Sequence, residues 1–383
     1  PVAPEVEEAP QGQPGGRQEP EDGGQEEDHG PGANGAGPTW LDRVPFRCIG
    51  HDDGYYHYLP EGAGQVTALQ PRSHDRLTLM RLAPLTTWQQ EFPGKAKGVD
   101  WQVAADALIQ SCHRVGVHSA RNIRGRGCWW ETSDAGDKIL VLHLGDRLLP
   151  SGSKQWVLPE RYRSPERFIY ERMERIPGPS SRRVLTLEEA RSILALCSDL
   201  NWHEEASGPL LAGWTVLSPV CGSLAWRPHI WITGGSGAGK STVLQRLILP
   251  LLGGMVAVFE AGTTEAGIRG WLKHDAIPAL YDEADKEGAA SDTRIQAIIG
   301  LLRTAASTGQ GAFTAKGTAG GGSITYQVRS MCCMASIGGS LRQEADKARV
   351  SVLQMKNKEA IPENERLAHW KAYEPRMDLV TDE

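Results

Sequence analysis

One stretch limits the possible folds more than any other. Trp231–Thr242 reads "WITGGSGAGKST", with the spacing Gly234-x-x-x-x-Gly239-Lys240-Ser241. That is the spacing of a phosphate loop. Its context makes it a site: the apolar "PHIWITG" leads in as a strand, and "KSTVLQRLILPLL" leads out as a helix. Backbone N–H groups from Gly235 through Ser236, Gly237, Ala238 and Gly239 to Lys240 are expected to wrap a phosphate at a helix N-terminus, with Gly234 and Thr242 flanking them. Lys240 is expected to bridge β- and γ-phosphates, and the Ser241 hydroxyl to ligate Mg²⁺. ATP and Mg²⁺ are therefore the expected cofactors. A chance glycine turn before Lys-Ser would need neither the strand before it nor the apolar helix after it.

The second half of such a site comes 42 residues after Lys240, in "ALYDEAD". Asp282 ends an apolar strand and is expected to hold the Mg²⁺ shell. Glu283, next in line, is expected to polarise the attacking water. The plainer reading of the pair is a helix start that only caps. The chain contains neither an Asn-Lys-x-Asp sequence nor "LSGGQ". Small GTPases and ABC ATPases are thereby disfavoured, which leaves the additional-strand ATPases. From about residue 200 onward strands and helices alternate. That order predicts an α/β fold: a three-layered parallel sheet with right-handed crossovers.

Upstream the composition changes twice. Residues 1–38 hold nine acidic residues and one arginine, with much Pro and Gly and few apolar residues. Such a segment cannot bury enough surface to offset its ordering entropy, so a disordered acidic linker is expected. The chain's net charge of -6 belongs to that tail, and the remainder stands at +2. Order is expected from Trp40. Turns at Asp52-Asp53-Gly54, Gly62-Ala63-Gly64 and Gly145-Asp146 punctuate short strands, and Asp100 caps an amphipathic helix. These predict a small α+β accessory domain over 39–180. A helix capped by Thr186 opens the second domain, 181–383, the ATPase, expected to be cut short at its C-terminus.

No stretch approaches the ~20 apolar residues of a membrane helix, so no membrane partner is expected. The start lacks a signal peptide and a Met, which reads as a piece of something longer. Seven cysteines without a C-x-x-C spacing point to a reducing, cytoplasmic setting and away from zinc. Cys332 and Cys333, inside an apolar run, read as strand core. "RNIRGRGCWWE" interleaves Arg121, Arg124 and Arg126 with Trp129 and Trp130, a composition suited to stacking on single-stranded nucleic acid. In a chain with twelve tryptophans, core packing is the plainer reading.

Beyond Glu283, "DTRIQAIIGLLRTAAST" reads as a helix. "AFTAK" and "SITYQV" then flank a glycine-dense tip, which signals a β-hairpin. "MCCMASIGG" follows as a buried strand carrying Ser336, a candidate catalytic residue, at its end. A helix, Arg349 and the apolar strand "VSVLQM" come next. From Arg303 to Lys358 eight Lys or Arg stand against two acids. That local excess suits nucleic acid.

The blocks "WITGGSGAGKST", "EAGTTEAGIRGWL", "PALYDEAD", "AKGT", "YQVRSMCCMASIG" and "ADKARVSVLQMK" resemble phage, prophage and plasmid replication proteins of the primase–helicase type. In those, a TOPRIM or other priming module is joined to an AAA+/superfamily 3-like motor. "GRGCWWE" and "VLHLGDRLLP" resemble the segment ahead of that motor. The resemblance spans about 43–358. It implies a hexameric homo-oligomer acting on single-stranded or forked DNA. It also implies a channel hairpin that grips the strand through Lys316, Thr318 and Arg329; a solvated surface hairpin is the alternative. Arg349 takes the place of a finger reaching a neighbouring subunit's γ-phosphate, with Arg342 as the substitute and helix-surface charge as the plain reading of both. Such fingers are worth ~10³–10⁵ in rate. The chain carries no TOPRIM acidic signature and no zinc ligands, so the resemblance implies a priming domain upstream or on another chain. The function expected is an ATP-driven DNA motor in mobile-element replication. An AAA+ switch that remodels a protein without touching DNA stays open, as does a small-molecule kinase.

Overall fold

The computed structural model describes residues 39–179, 184–282, 289–307, 314–317, 323–338, 341 and 343–382. The chain divides into two units, one ending at Arg43 and one running from Val44. Within the first, Trp40–Asp42 forms a single 3₁₀ turn, and Asp42 accepts hydrogen bonds from the Thr39 N–H and hydroxyl at 2.7 and 3.0 Å. The expected linker, 1–38, lies outside the described residues.

The second unit starts with an antiparallel sheet of β1 (Phe46–Asp52), β2 (Tyr55–Pro60) and β3 (Thr67–Leu69). Asp53 and Gly54 join the first two strands with φ of 45° and 76°. Both positions need a left-handed conformation, which Asp-Gly supplies at low cost. The helix Trp101–Val115 packs on β1, and the Asp100 carboxylate caps it by accepting from the Val103 N–H at 3.1 Å. Two short strands, β4 (Ile123–Arg124) and β8 (Ile169–Tyr170), pair in parallel. Between them, β5 (Gly127–Thr132), β6 (Lys138–His143) and β7 (Leu148–Pro150) form an antiparallel sheet.

A five-stranded sheet carries the rest. Its strands are β9 (His229–Thr233), β10 (Ala257–Glu260), β11 (Ala279–Asp282), β14 (Cys332–Ser336) and β15 (Val350–Gln354), and every pairing is parallel. The order across the sheet is β10-β11-β14-β9-β15. The hairpin of β12 (Thr314–Gly317) and β13 (Ser323–Tyr326) precedes β14, as its alternating sequence predicts.

Period-two alternation makes this sheet the middle of three layers. Ile230, Ile232, Leu280, Cys333 and Leu353 enter one core, with Val243, Leu244 and Leu247 of the helix after the loop and with Leu196, Leu211 and Tyr373. Trp231, Phe259, Tyr281, Met334 and Val350 enter the opposite core, with Ile268, Leu272, Ile298 and Leu302. Leu144 and Ile176, from the accessory segment, join that second core. Cys332 and Cys333 are buried strand residues, and all seven thiols are free.

The accessory segment meets the sheet through a close backbone approach. Gly127 bridges Ala276, and a Cβ on Gly127 would come within 2.2 Å of the Ala276 carbonyl oxygen. Beside it the Arg126 backbone N–H donates to Asp275 Oδ1 at 2.7 Å, and its guanidinium donates through Nε and Nη2 to Oδ2 at 2.9 and 2.5 Å. Arg126 is thus a buried ion-pair partner, not a surface group offered to a base. The nearby Trp129 is buried too, while Trp130 is 46% exposed.

His229 locks β9 into the sheet. Its Nε2 meets the Leu302 carbonyl at 2.9 Å, and its Nδ1 accepts from the Cys332 N–H at 3.0 Å. This pattern requires the neutral Nε2–H tautomer. Burial pushes its pKa down to about 4, and His143, buried in the accessory segment, is lowered to about 4 for the same reason. The unfolded chain titrates near ~6.5 and takes up these protons first. Folding stability is therefore expected to be level above that pH and to fall as pH drops towards 4. Urea midpoints measured between pH 8 and pH 5 check this. His229→Gln should flatten part of the slope, and a midpoint independent of pH would contradict it.

Candidate functional site

The loop turns between β9 and its helix through Gly237 and Gly239, whose φ values of 74° and 101° favour glycine. The helix starts at Lys240 and widens into a π-helical turn over Val243–Ile248. Pro250 follows; it has no N–H to give to the Arg246 carbonyl, so the regular ladder is interrupted there. Lys240 Nζ donates to the carbonyl oxygens of Gly234 and Gly235 at 2.8 and 3.0 Å. The ammonium thus sits over the loop on oxygen acceptors, as a phosphate-binding lysine would. Ser241 is exposed and Thr242 half-buried at the helix start.

Asp282 stands at the C-terminal end of β11, in register with Ala335 of β14, which pairs in turn with Ile232 of β9. Two strand steps separate it from the loop strand, about 10 Å. Leu280 faces the core under the loop helix. Alternation therefore puts Asp282 on that same face, the one that carries the helix starting at Lys240. The donor set of one hydroxyl, one carboxylate and a run of loop N–H groups suits a Mg²⁺-nucleotide. Glu283 lies outside the described residues.

Ser336 is differently engaged. Its hydroxyl accepts from Trp231 Nε1 at 2.9 Å and donates to the Gly338 carbonyl at 2.6 Å. That places it on the sheet face opposite the loop helix, where it ties the ends of β14 and β9 together. Arg349 Nη1 donates to the Ala345 carbonyl at 2.7 Å, and its guanidinium stacks 5.6 Å from the Trp226 ring. Val350 pairs with His229, so Arg349 lies at the start of the strands, roughly 16 Å from its own loop. Lys316 falls on β12, opposite Ile324. Thr318 and Arg342 lie outside the described residues. Arg329 sits beyond the hairpin, half-buried, with its guanidinium 5.3 Å from the Trp129 ring.

Three contributors were not singled out in the sequence. Asn357 Oδ1 accepts from the Gly235 N–H at 2.8 Å, and a Cβ on Gly235 would come within 2.5 Å of that oxygen. Lys358 reaches Gly237 from the same turn. The helix Glu363–Asp382 packs beside the loop helix, held by Arg246 to Glu374 at 2.6 Å and to Asp378 at 3.1 Å. Between them opens a cavity of about 150 Å³, lined by Leu200, Asn201, Gly239, Thr242, Met355, Trp370 and Tyr373 among others. The stripe Trp370, Tyr373, Met377 is the local signal for that helix, diluted by a polar remainder and by Pro375.

No protein-family model matches the chain, and no curated protein does. Among solved structures, two of JCV helicase align, one with a thiazolopyridine phenoxyphenyl acetamide bound. They cover 53% and 51% of this chain and 55% and 52% of theirs, at 13% and 12% identity and a TM-score of 0.31 in each. The chain thus spans about half the length of those structures, and a likeness at that score carries no argument for fold or function.

Proposed function

We propose that this chain is an ATP-hydrolysing motor of the AAA+/superfamily 3-like kind, helicase-like and serving DNA replication of a phage or plasmid. One observation carries the reading: β14 lies between the loop strand β9 and the strand that ends in Asp282. That is the additional-strand arrangement. In this reading Lys240, Ser241 and Asp282 gather around the γ-phosphate and its attacking water. Bound ATP supplies the hydrolysable γ-phosphate, and Mg²⁺ the charge that stabilises its transfer. Lys240 and the loop N–H groups beyond Gly235, whose own N–H is held by Asn357, orient the phosphates, while Glu283, in this reading, orients the water. The apolar cavity beside Gly239, walled by Trp370 and Tyr373, suits a flat nucleobase. Asn357 braces the loop.

Residues 181–383 form the motor in this proposal, and 39–180 the accessory domain. Arg349 is too far from its own loop to act there, which favours a finger used in trans within a homo-oligomeric ring. The hairpin with Lys316, in a segment of basic excess that includes Thr318 in sequence, supports a DNA partner. The test is ATP hydrolysis with and without a single-stranded oligonucleotide. Stimulation by DNA is expected. Hydrolysis that ignores DNA, together with no oligonucleotide binding, would leave the protein-remodelling reading in its place.

A further inference from the structure

Two arginines meet over one indole where the accessory segment touches the base of the hairpin. The Arg124 guanidinium lies 4.9 Å from the Trp129 ring centroid and 3.8 Å from that of Phe168. The Arg329 guanidinium lies 5.3 Å from the same Trp129 ring. Arg124 is 7% exposed, and its Nη1 donates only to the backbone carbonyls of Arg121 and Ile123, at 2.6 and 3.1 Å. Arg329 donates through Nε and Nη2 to Gln327 Oε1 at 3.0 and 2.8 Å. Among the described residues neither forms an ion pair with a carboxylate. Glu131 and Glu166 favour the Arg124 charge through space, but their oxygens bond elsewhere: Glu131 accepts from Tyr170, Ser164 and Tyr162, and Glu166 from the Thr132 N–H.

Two desolvated like charges around one ring repel each other, and each is held in place by neutral acceptors only. Burial, followed by the charge of Arg329, pushes Arg124 down to about 10, and burial lowers Arg329. An anion between them would relieve that cost. A notch opens there, lined by Arg121, Arg124, Trp129, His274, Gln327 and Arg329. Guanidinium forks match phosphate oxygens. Trp129 is buried, with its Nε1 donating to the Gly125 carbonyl at 2.9 Å, so its face is taken by the arginines and not offered to a base. The notch itself has room for little more than one water, so a phosphate would sit at its mouth with one oxygen directed between the guanidiniums, without reading sequence. Arg329 follows β13 by three residues, and β13 packs against Ala120–Asn122, so a strand leaving the hairpin would pass the notch.

We propose that Arg124 and Arg329, framed by Trp129, hold a backbone phosphate of single-stranded nucleic acid where it leaves the hairpin. This rests on the DNA-motor reading above. The shared chemistry, a phosphate oxygen between two guanidiniums, would also fit free phosphate, so two probes are needed.

The experiment compares the wild type with Arg329→Gln and Arg124→Lys, using a mixed-sequence single-stranded oligonucleotide in fluorescence anisotropy at several salt concentrations. Circular dichroism shows whether each variant is folded. Arg329→Gln should weaken binding about tenfold, the scale of one charged hydrogen bond. Its salt slope should become shallower by about 0.7 for one lost phosphate contact. Arg124→Lys keeps the charge without the fork and should lose affinity with an unchanged slope. In a parallel thermal-shift arm, the oligonucleotide should stabilise the wild type more than Arg329→Gln, while inorganic phosphate should not tell them apart. Unchanged affinity and slope in folded Arg329→Gln would overturn the site while leaving the motor intact. A phosphate shift that depends on Arg329, with oligonucleotide binding unaltered, would overturn the nucleic-acid ligand. A wild type that binds no oligonucleotide would instead bring down the motor reading itself.

Discussion

Lys240→Ala is expected to cut ATP hydrolysis by at least ~10²-fold, the scale of losing one positioned charge at a reacting phosphate. Nucleotide binding should weaken as well. The protein should stay folded, because Lys240 is half-buried and its contacts in the loop are two backbone carbonyls, those of Gly234 and Gly235. Phosphate-release kinetics and calorimetry with a non-hydrolysable ATP analogue measure the two effects separately. Near-parental turnover in folded Lys240→Ala would remove Lys240 from the site. A second arm exploits the distance between Arg349 and its own loop. Lys240→Ala subunits mixed with Arg349→Ala subunits should recover part of the activity, because an intact loop can then meet an intact arginine from the next chain. If the two forms co-assemble and remain inactive, Arg349 does not act in trans.

Asp275→Ala is expected to cost about 3–5 kcal/mol of stability, the price of stranding a buried charge. The side chains of Arg126 and Asp275 are 9% and 0% exposed, and Asp275 accepts three hydrogen bonds from Arg126. Removing the carboxylate leaves a guanidinium and a backbone N–H without their acceptor. Removing both charges together, in Arg126→Met with Asp275→Leu, should recover much of the loss, since paired burial contributes little net energy. The effect should also reach the nucleotide site, because Asp275 lies just ahead of β11, whose last residue is Asp282. Urea unfolding gives the stabilities. A loss under ~1 kcal/mol for Asp275→Ala would mean that water reaches Arg126 and the junction is loose.

The phosphate loop was legible because its chemistry is local. Glycines at fixed offsets, an apolar strand before them and an apolar helix after them lie within about twenty-five residues. The Asp53-Gly54 turn and the Asp100 and Thr186 caps are local in the same way, each depending on a side chain and a backbone group a few residues apart. The hairpin and all five strands of the parallel sheet likewise announce themselves by alternation or by short apolar runs.

How distant segments meet is settled by folding alone. The additional strand was expected by elimination of other ATPase classes, but the sequence does not say that β14 is the one between β9 and β11, because parallel strands are matched through crossovers and leave no mark on their neighbours in the chain. Arg126 and Asp275 are 149 residues apart, and Gly235 and Asn357 are 122 apart. Asp275 and Asn357 alone read as ordinary surface polarity. Arg126 beside two tryptophans even reads as a nucleic-acid contact, until burial against Asp275 gives it a structural partner. The helix Glu363–Asp382 hides its apolar stripe among charges whose partners lie far off in the chain, Arg246 for Glu374 and Asp378, and Asp199 for Arg376. Periodicity and turn chemistry are properties of neighbouring residues, so one chain displays them directly. Pairing, burial and charge compensation are properties of residues brought together by folding, and they exist only once the sheet has closed around its two cores.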